Sequence, residues 1–288
     1  DITERKKAIA KLKQSEKRLQ QMLSAIPDLV SIQDADMNII YSNWKEVASV
    51  PEEERKLYSK CYSTYRNNED ICPDCPTIDI FEKNEPVQKE LQFSNGEWYD
   101  IRGIHIQKND EGEIELFVKW ARNITERKKR EEKIRYISYH DQLTGLHNRT
   151  FMEEQIEKLD RKDKLPISII TVDVNGLKII NEGYGHKKGD EVLKQTGKLL
   201  NSCIRKKDIL ARWGGDEFVI LLTQTSGKEV KNIVKKIQSR SQKTNSKEIP
   251  ISLGIGFTTK NNNEENIYEK IYETEDKLNK DKLIKNRS

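Results

Sequence analysis

The chain has 288 residues, of which 35% are charged and 34% are hydrophobic. This length predicts two domains of ordinary size, each able to bury a core. No apolar run approaches the roughly 18 residues of a membrane span, and no signal peptide is visible. The net charge of +4 is spread through runs of mixed sign, which gives no support for a nucleic-acid partner.

The cysteine content predicts the cellular compartment. Four cysteines in 288 residues are too few for a secreted disulfide scaffold. We therefore expect the protein in the cytoplasm, either as a free protein or as the cytoplasmic part of a membrane-bound sensor.

The segment ITERKK occurs twice, at residues 2–7 and 124–129. Each copy begins a charged helix without Pro or Gly, and Pro27 ends the first helix. The first helix carries an apolar stripe with the 3–4 spacing of a coiled coil, formed by Ile9, Leu12, Leu19, Leu23 and Ile26. Two such helices around one domain favour a parallel homodimer.

Between the two copies, strands are predicted on both sides of a mixed helical middle. They cover residues 28–34 and 38–43, the two arms of a hairpin at 89–106, and 114–125. Asn95-Gly96 suits the tight turn of the hairpin. This order resembles a PAS domain at residues 23–128, which implies a sensor or dimerisation module. By the same resemblance, residues 1–22 are the exit and signalling helix of a preceding sensor domain in the same chain.

Three cysteines lie close together in the PAS-like segment, at Cys61, Cys72 and Cys75. The C-x₂-C spacing suits a metal or redox site, and three thiolates with a further ligand such as His105 would hold zinc or an iron–sulfur cluster. The alternative is a set of buried or reversibly oxidised thiols. Cys203, on a later helix, is most simply a packed thiol.

Residues 129–138 predict a helical linker, and residues 139–288 change to a mixed α/β pattern. The predicted strands cover 166–174, 208–213, 217–222 and 249–259, and the predicted helices cover 186–204, 229–240 and 266–283. With the antiparallel sheet expected before the linker, the chain as a whole falls in the α+β or α/β class.

The string ARWGGDEFVI, at residues 211–220, carries the most chemical information. Two strands meet at Gly214-Gly215, and glycine allows a phosphate to approach the backbone N–H groups of the turn. The adjacent carboxylates of Asp216 and Glu217 suit a hard cation such as Mg²⁺, which prefers oxygen ligands and substrate phosphates. Taken alone, this string is only a hairpin turn.

Three further motifs accompany that string: DQLTGLHNR at 141–149, VDVNGLKIINEGYGHKKGD at 172–190, and RKKD at 205–208. In this order and spacing they resemble the GGDEF family of diguanylate cyclases, over about residues 139–286. The resemblance implies a central antiparallel sheet with flanking helices, related to nucleotidyl cyclases. It also implies the condensation of two GTP molecules into cyclic di-GMP.

The resemblance assigns roles to the acidic residues. Asp173 and Asp216 match the aspartates that hold Mg²⁺ or Mn²⁺ on the GTP phosphates, although a lone aspartate at a strand end is more often a cap. Glu217 matches a residue that either helps to bind metal or deprotonates the attacking 3′-hydroxyl. Asn181 and Asp190 match the pair that reads guanine, and the alternative for Asp190 is an acid at a helix N-terminus.

The resemblance also assigns phosphate and product contacts. Leu177 and Lys178 match a loop beside the phosphates, and Lys282 matches a phosphate-binding lysine. The surrounding C-terminal string TEDKLNKDKLIKNR departs from the family pattern. Arg205 and Asp208 form R-x-x-D, placed as an inhibitory site for cyclic di-GMP, where arginine suits the O6/N7 edge of guanine.

The implied reaction needs two half-sites, because the 3′-hydroxyl of one GTP attacks the α-phosphate of another that is bound head-to-head on a second protomer. Two alternatives stay open. One is a catalytically weak domain that acts as a receptor for GTP or cyclic di-GMP. The other is a redox or metal sensor whose output lies on another chain.

Overall fold

The computed structural model describes residues 2–44, 50, 52, 55–93, 95–243, 250–274 and 278. The chain divides into two compact units, Asp1–Glu131 and Glu132–Ser288. The division falls within helix α4 (Thr125–Tyr139) and inside the predicted linker. None of the helices in the described ranges is long and apolar enough to cross a membrane.

The N-terminal unit begins with helix α1 (Ile2–Ala25), which stops before Pro27 as predicted. In the described chain no residue of α1 is buried. The apolar stripe is therefore open to solvent on a single chain, with Leu12 exposed by 63% and Leu19 by 58%.

A five-stranded sheet forms the body of this unit. Its strands are β1 (Leu29–Asp34), β2 (Ile39–Ser42), β3 (Val87–Gln92), β4 (Trp98–Lys108) and β5 (Ile114–Asn123). They lie in the order β2-β1-β5-β4-β3, and every neighbouring pair is antiparallel. All the predicted strands are present. Gly96 has a positive φ of 84°, which suits its place in the hairpin turn between β3 and β4.

Two short helices, α2 (Cys61–Arg66) and α3 (Pro76–Lys83), occupy the predicted helical middle. Helix α3 packs closely on the sheet, because a Cβ added to Gly103 of β4 would lie only 2.7 Å from Cδ1 of Ile80. Ile80 and Phe117 are fully buried in this contact. Burial of each such side chain stabilises the fold by about 1.5–3 kcal/mol.

The C-terminal unit contains a second five-stranded sheet. Its strands are β6 (His147–Asn148), β7 (Ile167–Val174), β8 (Ile209–Gly214), β9 (Glu217–Leu222) and β10 (Leu253–Lys260). They lie in the order β10-β7-β9-β8-β6, antiparallel except for the short parallel pair β6–β8. Helices are α5 (Arg149–Leu159), α6 (Leu177–Tyr184), α7 (His186–Cys203) and α8 (Gly227–Lys243), with further helical residues at 267–274. The predicted mixed class is confirmed.

Both faces of this sheet are covered. All eight residues of β7 are buried, in agreement with the buried strand predicted at 166–174. One core cluster joins Phe218 of the sheet to residues of α7 and α8, and another joins Met152 of α5 to Ile271. Cys203 lies in the first cluster, which confirms it as a packed thiol. The sheet positions the polar residues at the end of β7 and in the β8–β9 turn.

Candidate active site

The β8–β9 turn is built around two exposed glycines. Gly215 has a positive φ of 48°, a conformation that favours glycine. A Cβ added to Gly214 or to Gly215 would meet no atom within 4 Å, so the space above the turn is open. A phosphate could therefore approach the backbone N–H groups of this turn closely.

The three predicted catalytic carboxylates belong to one end of the sheet. Asp173 of β7 and Glu217 of β9 are direct partners across the two antiparallel strands. The backbone N–H of Val174 donates to the carbonyl oxygen of Asp216 at 3.1 Å, which ties the turn to the end of β7. Asp173 is only 5% exposed, whereas Glu217 is exposed.

Leu177 and Lys178 do not lie in a loop, so that prediction was wrong. They are the first residues of helix α6, which Gly176 precedes with a positive φ of 72°. Helix α6 has only eight residues and lies between Gly176 and Gly185, so its sequence gives too little helical periodicity to predict it. The chemical consequence is unchanged, because the first N–H groups of a helix have no intrahelical partner and suit an anion.

An open cleft of about 810 Å³ lies between α6 and the turn. It is lined by Leu177, Lys178, Asn181, Glu182, His186, Gly215 and Asp216. Most of these are predicted substrate or metal residues, whereas Glu182 and His186 are additions from the structure. Glu182 forms an ion pair with Lys178, with 3.9 Å between Nζ and Oε1. Their i,i+4 spacing could have indicated this contact from the sequence.

Asp173 and Glu217 line a separate hollow of about 420 Å³, together with Trp213 and Leu278. The structure therefore places these carboxylates beside Asp216 in the fold, but not in the wall of the same cleft. Asp190 lines neither space. It is the fifth residue of α7, beyond the first turn, so the helix-dipole alternative does not account for it.

Arg212 is a residue that the sequence reading missed. Its guanidinium donates to the carbonyl oxygen of Gly215, at 3.0 Å from Nε and 2.6 Å from Nη2. Asp141 holds the other side of the guanidinium. Burial alone would raise the pKa of Asp141, but hydrogen bonds from Thr144 and Arg212 outweigh it, so the pKa is lowered. Arg212 thus links the glycine turn to the carboxylate of Asp141.

The carboxylates suit a divalent metal ion whose remaining ligands come from the substrate. Asp173, Asp216 and Glu217 offer hard oxygen donors, and Mg²⁺ typically takes one or two carboxylates together with substrate phosphates. Across the described ranges, no three His, Cys, Asp or Glu side chains form a metal-binding group by themselves. Such a site would therefore take its remaining ligands from nucleotide phosphates and water.

Arg205 and Asp208 form a closed turn. Asp208 accepts hydrogen bonds from the backbone N–H of Arg205 at 2.8 Å and from Nε at 3.1 Å. Nη2 of Arg205 donates to Oγ1 of Thr225. Oδ1 of Asp208 is buried without a hydrogen-bond partner among the described residues. Arg205 and Thr225 also line an open space of about 720 Å³.

Lys282, the predicted phosphate-binding lysine, lies outside the described residues. The same is true of the C-terminal residues around it, from 279 to 288.

Cys61, Cys72 and Cys75 line one apolar cavity in the N-terminal unit, which opens to solvent. In the described part of the chain these cysteines do not belong to a group of three side chains arranged to hold a metal ion, so the zinc or iron–sulfur site stays a prediction. The same is true of His105 as the fourth ligand. Burial raises the pKa of Cys61 and Cys72, which keeps both thiols protonated at neutral pH and chemically quiet.

Comparison with known proteins decides the family. A family model described as "Diguanylate cyclase, GGDEF domain" matches residues 138–287. The chain belongs to the GGDEF family. That match covers the second sheet, the cleft and the glycine turn, so the GGDEF residues and the observed site coincide in the fold.

Relatives of this GGDEF chain have more than one recorded activity. The diguanylate cyclase DgcM of Escherichia coli K12 is 33% identical over 156 residues, or 52% of this chain and 38% of DgcM. The cyclic di-GMP phosphodiesterase PdeR of the same organism is 31% identical over 134 residues, or 46% of this chain and 19% of PdeR. The chain thus spans well under half the length of these curated relatives.

A solved structure shows the same fold. It contains the coiled coil and GGDEF domain of DgcB from Caulobacter crescentus in complex with c-di-GMP. The superposition has a TM-score of 0.51 at 18% identity and covers 56% of this chain and 88% of that one.

Proposed function

We propose that the chain is a diguanylate cyclase, which joins two GTP molecules into cyclic di-GMP and releases pyrophosphate. The observation that carries this proposal is the cleft that brings Leu177, Lys178 and Asn181 of α6 to face Gly215 and Asp216 of the glycine turn. A nucleotide needs such a combination: backbone N–H groups for its phosphates, carboxylates for its metal, and an amide for its base.

The phosphates would lie against the N-terminus of α6 and the N–H groups of the Gly214-Gly215 turn. Asp173, Asp216 and Glu217 would hold Mg²⁺ or Mn²⁺, and the bound ion would supply charge neutralisation and Lewis acidity at the triphosphate. Glu217 either contributes to that binding or accepts the proton of the attacking 3′-hydroxyl. As the new bond forms between this oxygen and the α-phosphorus, the bond to pyrophosphate breaks.

Asn181 and Asp190 would select guanine. An aspartate accepts hydrogen bonds from N1–H and the exocyclic amino group of guanine, and adenine offers no such pair of donors. A buried acceptor left unpaired by adenine would weaken its binding. The amide of Asn181 has no hydrogen bond to other described side chains, so it is available to a base in the cleft.

Two copies of the chain would each supply one half-site. The open stripe of α1 supports a parallel homodimer, because Ile9, Leu12 and Leu19 are exposed on a single chain and have coiled-coil spacing. Changing Leu12 and Leu19 to Glu should convert dimers to monomers in sedimentation and lower the rate per protomer. An equal dimer fraction in this variant would refute the role of the stripe.

Arg205 and Asp208 would form a product site that limits cyclase activity. The guanidinium of Arg205 is exposed. On product binding it would give up its hydrogen bond to Thr225 and donate instead to O6 and N7 of guanine. The open space beside it is where the base would lie.

The N-terminal unit would be a PAS sensor. Its strand order, β2-β1-β5-β4-β3, and its apolar cavity between sheet and helices support this proposal. Ala121 lines the cavity and is buried, so Ala121→Leu should fill part of it and change the cyclase rate without changing GTP affinity. An unchanged rate would show that the cavity does not regulate the cyclase unit.

The second candidate function is a receptor for GTP or cyclic di-GMP without turnover. A phosphodiesterase among the relatives, and the divergent string around Lys282, favour this alternative. The two functions separate when purified protein is incubated with GTP and Mg²⁺ and the products are identified by mass spectrometry. A cyclase forms cyclic di-GMP with release of pyrophosphate, and a receptor binds nucleotide and leaves GTP unchanged.

A further inference from the structure

Helices α6 and α7 meet at a sharp corner and pack against each other directly behind the cleft. Gly185 forms the corner, with a φ of 83°, and its N–H donates to the carbonyl oxygen of Asn181 at 3.0 Å. One turn further along α7, Gly189 is buried, and it faces back toward α6.

Gly189 lies against the side-chain amide of Asn181. A Cβ added to Gly189 would be 1.9 Å from Oδ1, 3.0 Å from Cγ and 3.4 Å from Nδ2 of Asn181. Carbon atoms in contact normally stay about 3.5–4.0 Å apart. The amide therefore occupies the volume that any other residue at position 189 would fill.

The backbone itself does not explain a glycine at this position. Gly189 lies inside helix α7 without a positive φ, and glycine is less favourable there than every residue except proline. Gly197 in the same helix has a different neighbour, because its added Cβ would lie 3.0 Å from Cδ1 of Leu146. The reason for glycine at 189 is the amide of Asn181.

We propose that Gly189 is a positioning residue that holds the amide of Asn181 in its orientation for a guanine nucleotide. This inference rests on the proposed function, in which Asn181 contacts the base. The missing side chain leaves room for this placement of the amide against α7, which any larger residue would block. Asp190, the other guanine residue, follows directly in the chain. Guanine affinity is thereby linked to the packing of two helices.

The consequence of Gly189→Ala is separable from an effect on folding. The clash falls on the end of a flexible side chain, so the amide of Asn181 can rotate away while the backbone stays in place. Alanine also suits a helix interior better than glycine. We expect a melting temperature equal to or above that of wild type, together with weaker binding of the nucleotide.

The test is a double-mutant cycle on the full chain with four proteins: wild type, Asn181→Ala, Gly189→Ala and the double variant. The probe is α,β-methylene-GTP, a GTP analogue that cannot release pyrophosphate, and calorimetry measures its affinity. Each single variant should bind about threefold to tenfold more weakly, the loss expected for one hydrogen bond. The double variant should be no weaker than the weaker single variant. Gly183→Ala is the matched control, because an added Cβ there meets no atom within 4 Å.

Several results would overturn the inference. Wild-type affinity in Gly189→Ala would do so, as would losses that multiply in the double variant. A melting temperature well below wild type would show a packing role instead. If Asn181→Ala binds like wild type, the amide has no role in binding and the inference fails with it. If the wild-type protein does not bind the analogue, the proposed function fails as well, and that outcome is distinct from the others.

Discussion

The guanidinium of Arg212 lies 3.1 Å from both carboxylate oxygens of Asp141, a residue 71 positions earlier in the chain. The same guanidinium donates to the carbonyl oxygen of Gly215. The DQLTGL motif is thereby connected to the glycine turn. We expect this pair to hold in position the turn that carries Asp216.

We expect Arg212→Gln and Asp141→Asn to lower the cyclase rate by about tenfold to a hundredfold, because small displacements of positioned groups carry losses of this size. Their effects should not multiply, since both changes break one ion pair. Lys206→Gln is the control, because this exposed lysine lies outside the ion pair. Steady-state assays of the single and double variants measure the coupling, and independent losses would contradict a shared role.

Removing the guanidinium of Arg205 should relieve product inhibition. Arg205→Ala loses the group that would contact the O6/N7 edge of guanine, a contact worth about 1–3 kcal/mol. The concentration of cyclic di-GMP that halves the initial rate should rise accordingly, while the rate without product stays the same. Lys207→Ala on the same turn is the matched control, and equal inhibition of both variants would rule out the site.

The start of the C-terminal unit should make stability depend on pH. His147 stacks on Phe151 at 3.7 Å and lies 4.6 Å from the ring of His140. Burial, and then the nearby His140, lower the pKa of His147. The unfolded chain therefore binds the proton more readily, and the free energy of unfolding should fall as pH drops through about 6.5.

His147→Phe keeps a ring in the stack and removes the titrating group. Chemical denaturation of wild type and variant between pH 8 and pH 5 measures the difference in their slopes. The wild type should lose more stability over this range than the variant. Parallel curves would show that His147 does not contribute to the pH dependence.

The length of the linker helix should control activity more than stability. One to three residues inserted between Lys129 and Ser138 change the rotation of the cyclase units in a dimer, about 100° for each residue of an α-helix. We expect rates that vary irregularly with insert length, at nearly constant melting temperature. Equal rates for all three inserts would show that the linker helix connects the two units without controlling activity.

The local features of the fold could be predicted from the sequence. The short segment rich in Ile and Val at 166–174 predicts a buried strand, and Pro27 predicts the end of α1; the structure confirms both. These predictions succeed because periodicity and proline act within a few residues. The same locality explains the failure at Leu177, where one short helix between glycines gives too little pattern.

Long-range relationships could not be predicted. The register that sets Asp173 opposite Glu217, and the pair of Arg212 with Asp141, depend on how distant segments meet. The contact between Gly189 and Asn181 depends on the packing of two helices at a corner. The metal or redox role of Cys61, Cys72 and Cys75 stays a prediction, since ligand spacing in sequence does not fix where buried side chains point.

The most direct test of the central claim is the formation of cyclic di-GMP by the purified chain with GTP and Mg²⁺, compared with that of Asp216→Asn. Glu264→Gln, an exposed change away from the cleft, is the matched control. We predict cyclic di-GMP with two pyrophosphates released per product from wild type and control, and a rate at least about a hundredfold lower in Asp216→Asn. Absence of cyclic di-GMP from the wild type, or equal rates in wild type and Asp216→Asn, would contradict the account.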